Sequence, residues 1–219
     1  MRKDSNRLIY GYEKHNDKIG QATEEFQQEL EQKCRELSAP DFSSMIQVHG
    51  NTIITAQPDR IHPDCDGLIT DQVGLMLFGS FADCLPIYVW DQTKPLIGLA
   101  HAGWKGTAGR IAQNLVKQLI DLGATDLHAM IGPGICRQHY QVSAGFDLEA
   151  KPISHRSMLK IGNNYFFDLY AENQAQLEVY LKPDAIEISP ICTYEDGNYY
   201  SYRRDQKTRG RNLGYIMLK

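Results

Sequence analysis

The chain has 219 residues, 42% hydrophobic and 23% charged, enough to bury a sizeable core in a globular protein. A net charge of −4 gives no global field toward nucleic acid or an anionic membrane, and the basic stretch "SYRRDQKTRGR" is short. Five widely spaced cysteines, an odd number, argue against a disulfide framework. The opening "MRKDSNRLIYGYEKHND" lacks the apolar segment of a signal peptide, and no run is long enough to cross a bilayer, so a reducing cytoplasm is expected.

No repeat, low-complexity tract or Pro/Ser-rich linker divides the chain, and one domain over residues 1–219 is expected. Residues 22–38 place Phe26, Leu30, Cys34 and Leu37 on one helical face, with Cys34 as core filler. "SSMIQVHGNTIITAQ" reads as two short strands around His49-Gly50-Asn51, a pair suited to a tight turn or bulge. "DGLIT", "GLMLFGSF", "PIYVWD" and "LIGLAHAG" follow as apolar strands of a well-covered sheet. Residues 107–122 return to helical spacing through Ile111, Leu115, Leu119 and Leu122, with Thr107 as cap and Gly123 as stop. "DLHAMIGPG" predicts a strand and turn. A helix near 168–181, a strand "AIEIS" and a closing strand "NYYSYRRD" complete an α+β pattern with a mixed, covered β-sheet and surrounding helices.

The candidate chemistry lies at strand ends. His49 ends one apolar run, Cys84 begins another, and His101 ends a third, where a rigid sheet can hold reactive groups at a rim. Zinc accepts His nitrogen and Cys thiolate, and catalytic zinc sites use three protein ligands plus water. The bland alternative is an inert core cysteine with two solvated or hydrogen-bonded histidines. "HAGWKGTAG" is a second constellation. Its glycines precede a helix and Lys105 adds charge, which suits an anion, yet the Walker order is absent and a close-packed glycine turn explains the stretch as well. Arg203 and Arg204 alternate faces if "SYRRD" is a strand. Asp66 reads as a turn residue, and Asp83 as a partner of the site or a proton carrier.

Taken together, "QVHG", "DGLIT", "ADCLPIYVWD", "LAHAGWKGT", "IGPGIC" and "YYSYRRD" resemble the bacterial laccase-domain family. Its members were first described as polyphenol oxidases and later assigned as zinc-dependent purine nucleoside phosphorylases. The six motifs keep the family's order over residues 45 to 204. Before residue 45 the family's usual "GG" segment is absent, Lys105 stands where arginine is common, and Gly134-Ile135-Cys136 varies the usual "GPCI" order.

The resemblance implies that His49, Cys84 and His101 are metal ligands, with Asp83, Cys84 and His101 as the catalytic set. It implies phosphorolysis of adenosine, inosine and methylthioadenosine, with adenosine deamination in the same pocket. The partners would be a nucleoside and phosphate, with Lys105, Arg203 and Arg204 as candidates to hold the anion and Asp83 to handle a proton at the purine. It also implies a fold like that of toxin-type cysteine hydrolases. Seven histidines without an H-x-H pair do not build a four-copper site, although a single copper would fit His/Cys ligands. Two further classes compete. One is a metal-free cysteine hydrolase, such as a cell-wall precursor amidase, using Cys84 with His101 or His49 as base. The other is a non-catalytic binding protein.

Overall fold

The computed structural model describes residues 1–15, 23–146 and 157–219. In chain order come β1 (Arg2–Asp4), β2 (Leu8–Lys14), α1 (Glu24–Leu37), β3 (Asp41–Met45), β4 (Ile53–Thr55), β5 (Arg60–His62) and β6 (Gly67–Thr70). Then follow β7 (Leu75–Phe81), β8 (Leu85–Asp91), β9 (Ile97–Ala102), α2 (Trp104–Ala108), α3 (Ile111–Asp121) and β10 (Leu127–Ile131). The last third holds β11 (Gln141–Val142), β12 (Met158–Ile161), β13 (Asn164–Phe167), α4 (Leu169–Leu177), β14 (Ile186–Ile188) and β15 (Asn212–Leu218).

The single covered sheet expected from the pattern is two sheets packed face to face. One runs β1-β2-β15-β7-β3-β5, the other β14-β10-β8-β9-β6-β4, and β11-β13-β12 form a small third sheet. Alternation along β8 shows the layers. Leu85, Ile87 and Val89 pack with Leu115 and Leu119 of α3 and Leu177 of α4, whereas Tyr88 and Trp90 pack with Tyr10, Leu77 and Ile216 of the first sheet. The outer face of that first sheet is closed by Phe26, Leu30, Cys34 and Leu37 of α1. A strand buried on both faces reads as an apolar run whether a helix or another sheet covers it, so the pattern did not separate the two. The buried Tyr88 hydroxyl spans the interface, donating to the Gly11 carbonyl at 2.8 Å.

Strand direction gathers the loops. β3, β5 and β7 run parallel, so their C-termini share one end of the sandwich. From each of them the chain crosses directly to the second sheet, into β4, β6 and β8, through residues 46–52, 63–66 and 82–84. β9 is antiparallel to β6 and β8 and ends where they begin. β10, antiparallel to β8, also ends there, and β15, antiparallel to β7, starts there.

Two expectations are corrected. The helix over 107–122 is two helices, α2 and α3, split by Arg110 in the left-handed region at φ 62°. Thr107 caps neither; it lies within α2, accepting from Asn173 Nδ2 at 2.9 Å through its hydroxyl and from Gln176 Nε2 at 2.7 Å through its carbonyl. "NYYSYRRD" is a turn instead of a strand, closed by Asp205 N–H donating to the Ser201 carbonyl at 2.9 Å, and the closing strand is β15.

Candidate active site

The three crossings carry the site. Residues 46–52 bring His49, 63–66 bring Asp66, and 82–84 bring Asp83 and Cys84, while His101 lies at the end of β9. Asp66 is fully buried and organises the first crossing. Its carboxylate accepts from the N–H groups of Val48 at 3.2 Å, His49 at 3.0 Å and Gly50 at 2.7 Å. It also pairs with His101 Nδ1 at 2.8 Å. Asp66 has the sequence surroundings of a turn residue, yet in the fold its carboxylate orients His101, leaving Nε2 of that ring for the site. Burial pushes Asp66 up, but His101 and the backbone donors outweigh it and hold the carboxyl below its ordinary range. Gln47 fastens the same segment to β7, donating to the Ser80 carbonyl and accepting from its N–H, each at 2.9 Å.

His49, Cys84 and His101 form one donor cluster, their nitrogen and sulfur atoms all within 4.8 Å of one another. The His49 and His101 rings meet edge to face at 4.9 Å. Leu85 pairs with Ala102 and Pro86 with His101, so Cys84 and Gly103 lie side by side just beyond the ladder. A Cβ on Gly103 would stand 2.9 Å from the Cys84 sulfur and 3.3 Å from His49 Cδ2, so this glycine leaves the room in which the donors converge. Burial pushes the Cys84 thiol up, but the His101 and His49 rings outweigh it and bring it down to about 6. Burial likewise pushes His101 down, and the Cys84 sulfur with the Asp66 carboxylate carries it up to about 9. His49 and Asp83 both adopt left-handed backbone, at φ 60° and 81°, strain of the kind that collects at functional sites.

The cluster opens into a cavity of about 760 Å³, a size suited to a small organic ligand. Trp104, Ile135, Tyr140 and Leu169 supply apolar wall, and Arg203, Arg209 and Arg211 supply positive charge. Asp83 lines it too, accepting from Thr193 Oγ1 at 2.8 Å and from Arg203 N–H at 2.7 Å. Arg203 lies over the Tyr140 ring, 5.3 Å from its centroid, with Nη1 donating to the Gln141 carbonyl at 3.0 Å.

The other two expected cations stand elsewhere. Arg204 pairs bidentately with Asp205 at 2.6 and 2.9 Å and donates to the carbonyls of Thr193 at 2.7 Å and Tyr199 at 2.6 Å. Its guanidinium is bound up in holding the turn. Lys105 is exposed on α2, with Nζ 5.6 Å from the Trp104 ring centroid, and does not line the cavity. The glycines around it serve close packing: a Cβ on Gly106 would meet the Gly50 carbonyl at 2.6 Å. Tyr140, Arg209 and Arg211 were not singled out from the sequence. Their signal was present in the short "KTRGR" segment and in an aromatic beside "GPGIC", but nothing local ties either to a strand end.

A family model described as multi-copper polyphenol oxidoreductase laccase matches residues 9–219, so the family's span includes the stretch before the six motifs. A purine nucleoside phosphorylase of Deinococcus radiodurans is 38% identical over 185 residues, 83% of this chain and 72% of that one. The purine nucleoside phosphorylase YlmD of Bacillus subtilis is 34% identical over 163 residues, 70% of this chain and 59% of that one. The crystal structure of the hypothetical protein YfiH of Bacillus licheniformis matches with a TM-score of 0.86 at 28% identity, covering 97% of this chain and 93% of that one.

Proposed function

We propose that the chain, which belongs to the multi-copper polyphenol oxidoreductase laccase family, is a zinc-dependent purine nucleoside phosphorylase with adenosine deaminase activity. The observation that carries this reading is a single cavity walled by the His/Cys/His cluster, by aromatic and aliphatic side chains, and by three arginines. The donor set would suit zinc: two imidazoles and a thiol converge beside Gly103, one imidazole is held by a carboxylate, and all three residues line the cavity. A single copper would suit the same donors. Four coppers would not, since among the described residues the other donor cluster contains no histidine.

Zinc, when bound at His49, Cys84 and His101, supplies Lewis-acid polarisation of a substrate atom. Tyr140 and Trp104 offer flat apolar walls for a purine. Arg203, Arg209 and Arg211 take over the phosphate role expected of Lys105 and Arg204, holding the anion by charge-assisted hydrogen bonds. Phosphate oxygen attacks ribose C1′, the C1′–N9 bond breaks, and its electron pair leaves with the purine. In deamination a water attacks purine C6 and ammonia leaves. Asp83 has two of a carboxylate's roughly four lone-pair sites occupied, and the others can accept a proton from that water. A cytoplasmic setting, with reduced thiols, belongs to the same proposal.

Product analysis with adenosine tests it. Adenine and ribose 1-phosphate forming only with phosphate, and inosine forming without it, are the expected results; no turnover under either condition overturns the reading. One observation favours a second reading. Cys84, His101 and Asp66 stand in line as a thiol, a base and an orienting carboxylate, the arrangement of a cysteine hydrolase, and the expected likeness to toxin-type hydrolase folds and cell-wall amidases belongs with it. Activity that survives chelation and is abolished by alkylation of Cys84 would select this alternative.

A further inference from the structure

The segment after β10 and the turn after β14 gather a second set of donors outside the candidate active site. Cys136 and Cys192 lie 56 positions apart in the chain, yet their sulfurs approach to 2.8 Å. Cys136 N–H donates to the Cys192 sulfur at 3.2 Å. Glu195 Oε1 lies 3.8 Å from the Cys136 sulfur and 2.9 Å from His139 Nε2. The backbone holds the two segments together through a parallel bridge between Gly134 and Cys192 and a 2.9 Å bond from Thr193 N–H to the Gly134 carbonyl. Cys136 is half-buried and Glu195 exposed, so an ion has access.

We propose that Cys136, Cys192 and Glu195 form a second metal site, for a thiophilic divalent cation of the zinc class, with His139 positioning the carboxylate. Two sulfurs and a carboxylate oxygen within 4.8 Å of one another are donors a zinc-class dication accepts, binding the thiols with release of their protons. Tetrahedral zinc with Zn–S of about 2.3 Å requires sulfurs about 3.7 Å apart. The thiols must therefore part by about 1 Å, a side-chain rotation for which half-exposed Cys136 has room. A disulfide would use the sulfurs and leave the Glu195–His139 pair without a part. The site is placed to brace the active-site wall. Ile135, next to Cys136, donates its N–H to the Asp83 carbonyl at 2.9 Å, and Thr193, next to Cys192, donates to the Asp83 carboxylate at 2.8 Å.

Anaerobic titration of the full chain with Co²⁺ and Zn²⁺ tests the site. Wild type should bind two equivalents, Cys84→Ser one, and the double variant Cys136→Ser/Cys192→Ser one. Cobalt in Cys84→Ser should show thiolate-to-cobalt charge-transfer absorption that disappears in the triple variant. Glu195→Gln, a mild change at an exposed position, should weaken this second cobalt site at least tenfold. If wild type and Cys84→Ser both bind one equivalent through Cys136 and Cys192, the first centre fails and this one stands. One equivalent in wild type that the double variant retains overturns the proposal, as does a Cys136–Cys192 disulfide in the anaerobically purified chain by mass spectrometry.

Discussion

The carboxylate of Asp66 accepts four hydrogen bonds, from the His101 ring and from the backbone of Val48, His49 and Gly50. A short side chain between a proline-containing turn and a strand gives no local sign of this, because all four donors are distant in sequence. His49, Cys84 and His101 were legible because each ends or begins an apolar run. Asp66 does so as well, but "DCDG" is equally good turn chemistry, and only the crossing of 63–66 between sheets sets the carboxylate among its donors. Asp66→Asn puts an amide where three N–H groups require an acceptor and removes the charge facing His101. Zinc affinity at the first centre should fall about 10- to 100-fold, and stability by about 3 kcal/mol. Competition with a metal chelator and a urea midpoint measure the two. Unchanged zinc affinity would show that His101 needs no orienting partner.

At the scale of elements, the apolar strands and the amphipathic α1 were readable from period alone, while two segments were misread for physical reasons. "HAGWKGTAG" has the composition of an anion loop, yet its glycines admit the 49–51 segment. "NYYSYRRD" alternates as a strand does, but Arg204 and Asp205 fold it into a turn through hydrogen bonds that no local pattern encodes. On the proposed function the cations divide by task, with Arg209 and Arg211 at the phosphate and Arg204 in the turn, although Arg211 Nη1 also donates to the Thr208 and Gly210 carbonyls at 3.0 and 2.8 Å. Arg209→Ala or Arg211→Ala should cost about 1.5–3 kcal/mol of phosphate binding, about a ten- to hundredfold rise in phosphate KM, with deamination spared. Arg204→Ala should instead lower the melting temperature. Equal loss of both reactions in the Arg209 and Arg211 variants would assign those residues to the fold or the purine. Asp91, at the end of β8, ties two turns together. It accepts from the N–H groups of Thr93 at 2.8 Å, Lys94 at 2.7 Å, Thr125 at 2.6 Å and Asp126 at 2.8 Å. Burial pushes its carboxyl up, and these donors outweigh it and hold it well below the ordinary range. A depressed carboxyl stabilises the fold above its unfolded value and loses that contribution as pH falls toward the folded one. Asp91→Asn should therefore cost about 2–3 kcal/mol at pH 7. The difference from wild type should narrow as pH drops below about 4. A gap that stays constant from pH 7 to pH 3 would contradict this origin.

For the whole molecule, the donors of the proposed first centre come from two segments that cross between the sheets and from the end of a strand of the second sheet. His49 follows β3 of the first sheet, Cys84 precedes β8 of the second, and His101 ends β9 beside it. An ion bound there bridges the seam of the sandwich, so its affinity is stability of the whole. The two sheets also share one apolar interface, in which Tyr10 stacks on Tyr88 at 5.4 Å, and neither keeps its inner face covered without the other. Unfolding should then be one transition, and metal should move all of it. At free zinc a hundredfold above its Kd, linkage contributes about 2.7 kcal/mol. A chain of this length gains about 2–4 °C per kcal/mol, so the midpoint should rise by about 5–10 °C. The Cys136→Ser/Cys192→Ser background isolates the effect of the first centre, and adding His49→Ala to it should abolish the rise. Calorimetry in zinc and in chelator makes the comparison. Two separate transitions, or a zinc-dependent rise that survives His49→Ala in that background, would show that the seam and the metal are not coupled.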